Sequence, residues 1–432
     1  MQMPTPKKSA TAWPIVPLVS EVKFMSGGTP TMSEEKYWNG DIPWVSSGEM
    51  TQRKIYDTTL RVTEDGANEG SKRVPARTVL VVVRGMSLAK EFRVAITARD
   101  ATFNQDLKAL LPSKKLIPEF LFYYLLSQNQ PIRDSASESA HGTKKLDTQV
   151  LEEWPLPLPN RSIQGKVVAV LSAYDELIEN NRRRIALLEK LAEEIYREWF
   201  VRIRFPGHEK VKKVKGVPTG WDVLPFSKLV IVNPSERVDK SENIPFVGME
   251  ELSVSSMFFT SRETRKGGQG AKFRNRDVLF PRITPSVENG KRGVVMTLAD
   301  GQVGFGSTEF IVLREKVIGA EHIYFLTCSS AFRKHAELSM TGASGRQRVQ
   351  EEYFSFFLVK TPPREIRQKF SDIVRPHFSQ IHMLSRQIEH LTNTRDKLLP
   401  RLISGKLSVE NLAIQFPPGM TEEMEPPQKS AP

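Results

Sequence analysis

The sequence predicts a mixed α/β (α+β) protein made of two diverged repeats, each a domain followed by a long helix. Three observations carry this reading. Similar segments recur in the same order at an offset of about two hundred residues. Each repeat then passes through prolines, after Pro159 and again after Pro363, into a run of apolar residues at alternating steps of three and four. Each run is about three times the roughly eleven residues of an average globular helix, which favours paired long helices over two ordinary core helices.

The repeat is visible segment by segment. "IPWVSSGEM" (42–50) matches "IPFVGMEEL" (244–252), and "TVLVVVRGMS" (78–87) matches "DVLFPRITPS" (277–286). "IPEFLFYYLLSQ" (117–128) matches "IGAEHIYFLTCS" (318–329), and "GTKKLDTQVLEEWPLPLP" (142–159) matches "GASGRQRVQEEYFSFFLVKTPP" (342–363). Short β-branched runs such as "VLVVV", "GVVMTL" and "EFIVL" predict strands, with turns at "NGD" (39–41), "EDG" (64–66) and "ENG" (288–290).

In the first long helix the apolar seam falls on Leu171, Tyr174, Ile178, Asn181, Ile185, Leu188, Ala192, Ile195 and Trp199. In the second it falls on Val374, His377, Ile381, Leu384, Ile388, Leu391, Arg395 and Leu398. Each stripe calls for a partner helix, and the other repeat's helix supplies one. Pro376 is expected to kink the second helix or delay its start.

Composition narrows function. Lys and Arg number 62 against 50 Asp and Glu, giving +12 and an isoelectric point near 9.6, which favours a polyanionic partner. The lone Cys328 excludes an internal disulfide and fits a reducing cytosol, as a small buried apolar residue. The N-terminus has charge without a following apolar core, so no signal peptide is read there, and no apolar run is long enough to span a bilayer. The proline-rich end, residues 409–432, is expected to be a disordered tail.

Catalytic signatures are missing. The sequence holds no G-x-x-x-x-G-K-[ST] loop, and "GQVGFGS" (301–307) reads as a hairpin loop between strands. Asp106 and Lys108 lack a second carboxylate for a nuclease site. No histidine pair has metal-ligand spacing with Cys or acidic residues. The [DNS]-P-P-[YFW] tetrapeptide of adenine methyltransferases is absent, "NPSE" (233–236) being the nearest approach.

What recurs instead is basic residues beside glycine, on loops where they can approach a phosphate backbone or base edges. In the first repeat these are Lys72, Arg73, Arg84, Lys90, Arg93, Lys144 and Lys145. In the second they are Arg265, Lys266, Lys272, Arg274, Lys291, Arg292, Arg346 and Arg348.

The stretch "YDELIENNRRRIALLEKLAEEIYREWFVRIRFPGHE" (174–209), with "RDKLLPRLISGKL" (395–407) on the second helix, resembles the specificity (S) subunit of Type I restriction-modification enzymes, and the repeat architecture matches over nearly the whole chain. The resemblance implies two target recognition domains, 1–160 and 207–362, each reading half of a split double-stranded DNA target. It implies a central helical spacer, 161–206, and a C-terminal one, 363–408, paired antiparallel with pseudo-twofold symmetry. It further implies a cytoplasmic, non-catalytic subunit that joins two methyltransferase (M) subunits and restriction (R) subunits, with no membrane partner and no metal. S-adenosylmethionine would belong to the methyltransferase partner, and ATP and Mg to the restriction partner, with no cofactor on this chain.

Within that frame a seam asparagine, Asn181, would fix register at some cost in stability. Asn180, Arg182, Arg183, Arg184, Trp199 and Phe200 are candidate partner contacts, the arginines having a plain solvated face as the alternative. A self-contained DNA methyltransferase or nuclease and a protein-binding coiled-coil scaffold stand as competing functions. The first is opposed by the missing catalytic motifs and the second by basic charge spread over both repeats.

Overall fold

A computed structural model describes residues 13–138, 143–239, 241–259, 263–343, 345–414 and Phe416. The chain forms two compact units. One comprises the chain up to Leu177 together with the segment from His390 onward, and the other is Ile178–Glu389.

In the first unit, strands Val22–Ser26, Leu107–Pro112, Val79–Val82, Val94–Thr97 and Lys54–Ile55 form one sheet in that order. Arg61–Val62, Trp38–Val45, Ala101–Phe103 and Arg73–Val74 form a second, in which Trp44 pairs parallel with Thr102. The "VLVVV" run is apolar throughout because both of its faces are covered. Val79, Val81 and Val83 share a core with Phe120 and Leu121 of helix α1 (Pro118–Ser127). Leu80 and Val82 face the other way, into a core with Val45, Ala95, Phe103 and Ala109.

The second unit repeats this plan. Val230–Val232, Phe310–Glu315, Val278–Pro281 and Gly293–Val294 form one sheet, and Glu263–Lys266, Asn243–Val247, Gly304–Gly306 and Lys272–Phe273 the other. Phe246 pairs parallel with Phe305, as Trp44 does with Thr102. Val278 and Phe280 belong to one core and Leu279 to the other, the same two-faced alternation.

Three loop expectations are corrected. "GQVGFGS" is no hairpin loop, because Gly304–Gly306 is an inner strand of its sheet. Glycine is required there, since a Cβ on Gly304 would lie 2.6 Å from the Phe273 ring and one on Gly306 2.5 Å from the Val247 carbonyl. "NGD" is a bulge inside strand Trp38–Val45, with Asn39 at φ 62°, rather than a turn. "EDG" opens the short helix Glu64–Glu69, capped by Thr63, whose hydroxyl accepts from the Gly66 amide. "ENG" does turn, with Gly290 at φ 72°.

Two long helices follow the repeats. Helix α2 spans Arg161–Tyr196, its first turn capped by Asn160, whose side chain accepts from the Ile163 amide at 2.9 Å. It widens into a π-type turn over Arg197–Val201. Helix α3 spans Ala320–Cys328 and helix α4 spans Arg364–Ile403. Pro376 neither delays nor breaks α4, which starts twelve residues upstream. Its ring sits on an exposed face, where water can satisfy the carbonyl that a backbone amide would have bonded. Gly405, at φ 71°, closes the helix end.

Within each unit the two helix segments run antiparallel. In the first, Val167, Val168 and Leu171 share a core with Leu399, Leu402 and Ile403, and Asp175 pairs with Arg395. In the second, Asn181 donates to Gln387 at 3.3 Å, while Tyr196 lies 6.2 Å from Phe370. Among seam residues, Leu171, Ile178, Asn181, Ile381 and Leu384 are buried, and Tyr174, Ile185, Leu188, Ile195, Ile388, Leu391 and Leu398 half-buried.

The start of the expected tail is packed. Val409 is buried in the first unit's core and the Glu410 carbonyl accepts from Lys166 at 2.6 Å. Residues 415 and 417–432 of that tail lie outside the described residues.

Phe370 is wholly buried among Tyr196, Trp199, Phe200 and His322. Phe370→Ala is expected to cost about 3–5 kcal/mol in denaturant unfolding of the second unit. Leu187→Ala, at a side chain 68% exposed, should stay within about 0.5 kcal/mol of the parent.

Candidate nucleic-acid interface

In the first unit the fold brings together basic residues far apart in sequence. Arg84–Gly85 continues from the buried strand Val79–Val82 and forms a three-stranded ribbon with Lys144–Lys145 and Ser137–Glu138. Lys145 stands opposite Arg84 and Lys144 opposite Gly85, and the Leu146 amide donates to the Val83 carbonyl at 2.8 Å. Gly85 adopts φ 131°, a conformation that glycine takes at no steric cost. Arg84 and Lys145 are exposed, and neither forms an ion pair with a described residue. Cations without a carboxylate partner are the ones free to exchange counterions for phosphate.

The other basic candidates of this unit divide into two kinds. Lys72 and Lys90 are exposed. Arg73 is held by Glu64 at 3.0 Å and Asp100 at 3.3 Å, and Arg93 by Glu91 at 2.7 Å and the Ser47 carbonyl at 3.1 Å. The carboxylates therefore compete with any phosphate for these two guanidinium groups.

The second unit builds the equivalent corner with different side chains. Arg348 bridges Ile283 and Thr341, and the Val349 amide donates to the Arg282 carbonyl at 2.7 Å, as Leu146 does to Val83. Arg348 clamps Glu309 through two nitrogens, at 2.9 and 2.7 Å. Those bonds, with a smaller effect of Arg282, hold the Glu309 carboxyl below the usual carboxylate range. Arg346 is exposed beside them. Arg282 was missed as a candidate in the sequence, although the repeat aligns it with Val83 next to the ribbon. It lines a cleft of about 420 Å³ with Asn233, Glu236, Lys272 and Thr308.

The remaining candidates here are mostly engaged. Arg265 lies 3.7 Å over the Phe246 ring and pairs with Glu263 at 2.7 Å, while Lys266 is exposed on the same edge strand. Arg274 pairs with Glu236 at 2.7 Å, and Lys291 donates to the Met249 carbonyl at 3.2 Å. Lys272 approaches the Gly270 carbonyl at 3.4 Å. Arg292 is half-buried, donating to the Gly290 carbonyl at 2.7 Å with its guanidinium 5.6 Å from the Tyr324 ring.

On α2, Asn180, Arg182, Arg183 and Arg184 are exposed, with Arg183 held by Glu179 at 3.2 Å. Trp199 and Phe200, the expected partner contacts, pack within the second unit, where Phe200 is half-buried. Trp199 is buried, and Phe200 lies 4.7 Å from Phe370 and 4.3 Å from His322. Burial lowers the His322 pKa to about 3, so this ring stays neutral. Among the described residues, no group of three or more His, Cys, Asp or Glu side chains is placed to hold a metal ion, and no helix is long and apolar enough to cross a membrane.

Residues 19–190 match the Type I restriction modification DNA specificity domain. The chain is 27% identical over 421 residues to the MjaIX Type I restriction enzyme specificity subunit of Methanocaldococcus jannaschii, covering 93% of this chain and 94% of that protein. It is 29% identical over 195 residues to the EcoR124I/EcoR124II specificity subunit of Escherichia coli, covering 44% of this chain and 48% of that one. The fold matches the crystal structure of a Type I restriction-modification S subunit from M. genitalium, with a TM-score of 0.61 at 16% identity over 92% of this chain and 98% of the other.

Combined Arg84→Ala and Lys145→Ala substitution should weaken binding to any duplex and reduce the slope of log K against log salt by about one per cation removed. Fluorescence anisotropy across a salt series measures this, and an unchanged slope removes the ribbon from the interface.

Proposed function

We propose that this chain is the sequence-specific DNA-binding subunit of a Type I restriction-modification complex. It reads a bipartite duplex target through its two units, positions methyltransferase and restriction subunits, and carries out no catalysis itself. The observation that carries this reading is the duplication of one strand order, with a basic corner built at the same place in both units by different side chains. A shared scaffold with divergent edges suits two readers of different sequence. Arg84, Lys144 and Lys145 would face the duplex in one unit, and Arg282 and Arg346 in the other, beside an Arg348 already engaged by Glu309. Phosphate contacts would set position, and side chains reaching base edges would set sequence.

The helices give this role its form. Asn181, bonded to Gln387, sets the register of the pair, since any other alignment would leave a buried amide unsatisfied. Exposed Asn180, Arg182 and Arg184 offer polar contacts to a partner. Two like repeats suit two copies of one methyltransferase subunit. The chemistry then resides with partners in the cytoplasm: S-adenosylmethionine with the methyltransferase subunits, ATP and Mg with the restriction subunits.

Replacing residues 207–362 with the matching region of a relative tests the reading. In a complex with the methyltransferase partner, sequencing of methylated DNA should show one half of the target changed and the other kept. A target altered in both halves would contradict independent reading by the two units.

A further inference from the structure

One polar cluster in the first unit aligns with aromatic residues in the second. Asp175 on α2 pairs with Arg395 on α4, a side chain only 7% exposed, and accepts from the Tyr123 hydroxyl of α1 at 2.8 Å. Arg53 reaches the same carboxylate at 3.4 Å and Asp396 at 3.6 Å. The backbone of Arg53 is itself fixed to the sheet, because its carbonyl accepts from the Ile96 amide at 2.9 Å where Lys54–Ile55 pairs with Ile96–Thr97. Burial, and next the charge of Asp175, push the Tyr123 phenol well above its usual value, so it remains a donor.

The repeat aligns Tyr123 with Tyr324 and Asp175 with Phe378, and there the joint is aromatic. Phe378 packs against Phe258 at 5.7 Å, Phe325 at 5.8 Å and Tyr324 at 6.0 Å, and Ala192 takes the place of Arg395. At this position the second unit joins its elements through apolar rings where the first uses a carboxylate; its own buried carboxylate, Glu321 of α3, meets Arg375 of α4 at 3.1 Å and Arg276 at 3.3 Å elsewhere.

We propose that Asp175 is a positioning residue for the half-target read by the first unit, tying its sheet and α1 to the helix pair through Arg53, Tyr123 and Arg395. Base readout tolerates displacements of only about 0.5 Å, and one carboxylate shared by three donors holds three elements at once. Losing it releases the sheet that carries Arg84 without touching the ribbon. This inference rests on the proposed function.

The test uses the full chain in complex with its methyltransferase partner, acting on a pool of randomised duplexes that is then sequenced for methylation. Asp175→Asn should reduce discrimination within the first unit's half by about tenfold, a typical coupling between sites, and leave the other half unchanged. Asp175→Glu should restore most of the loss. Arg53→Gln, at a side chain 35% exposed, keeps the Asp175–Arg395 pair and should reproduce the half-selective loss even if Asp175→Asn fails to fold. A two-part wild-type target with equal losses in both halves, or with no loss in folded variants, would overturn this inference alone. A wild-type complex that methylates without a two-part preference would overturn the functional reading and this inference with it.

Discussion

Leu399, Leu402, Ile403 and Val409, near the far end of the described chain, pack into the same core as Val167, Val168 and Leu171 and the strands and helix of the first repeat. This long-range contact is the constraint on which the structure depends. The first unit spans a sequence gap filled by the whole of the second, and the contact must offset the chain entropy of closing that loop. That entropy grows only slowly with loop length, so an inserted domain costs little more than a short insertion. The same closure brings Arg395 to Asp175, and with it the joint between sheet and helices.

The two units close differently. The second surrounds its helix segments with Tyr196, Trp199, Phe200, Phe370 and Phe378, whose cohesion is neither directional nor screened by salt. Each unit also has an ion pair at a buried side chain, Asp175 with Arg395 in the first and Glu321 with Arg375 in the second, which is directional and fails if one partner is lost. The carboxylates fall at different places in the two repeats, on α2 in the first and on α3 in the second. Pseudo-equivalent repeats can thus hold their reading edges with different tolerance.

Much of the fold was legible in the sequence because helices and buried strands announce themselves by period. The steps of three and four placed Leu171, Ile178, Ile381 and Leu384 on buried positions, and the "VLVVV" run marked a strand, which the fold covers on both faces. Glycine was harder to read. Gly304 and Gly306 give the same local signal whether they form a loop or let strands approach closely, and only the Phe273 ring and the Val247 carbonyl decide. The candidate interface was legible as a set of cations but not as individual contacts. Nothing local in "KRVPAR" tells that Arg73 is taken by Glu64 and Asp100, while Arg84, beside "VLVVV", stays uncommitted. Arg395 stood on the apolar seam as an anomaly whose partner, Asp175, lies more than two hundred residues away.

Hydrogen exchange on a chain ending at Glu389 tests the central dependence most directly. Such a chain keeps every residue of the second unit and removes the returning segment of the first. The amides of α1 and of Arg161–Leu177 should lose protection by a hundredfold or more, on the order of the roughly 3 kcal/mol that unfilled core positions cost. Those of Val278–Pro281 and Phe310–Glu315 should keep theirs. Undiminished protection across α1 would show that the first unit closes without the returning helix, and would contradict the account.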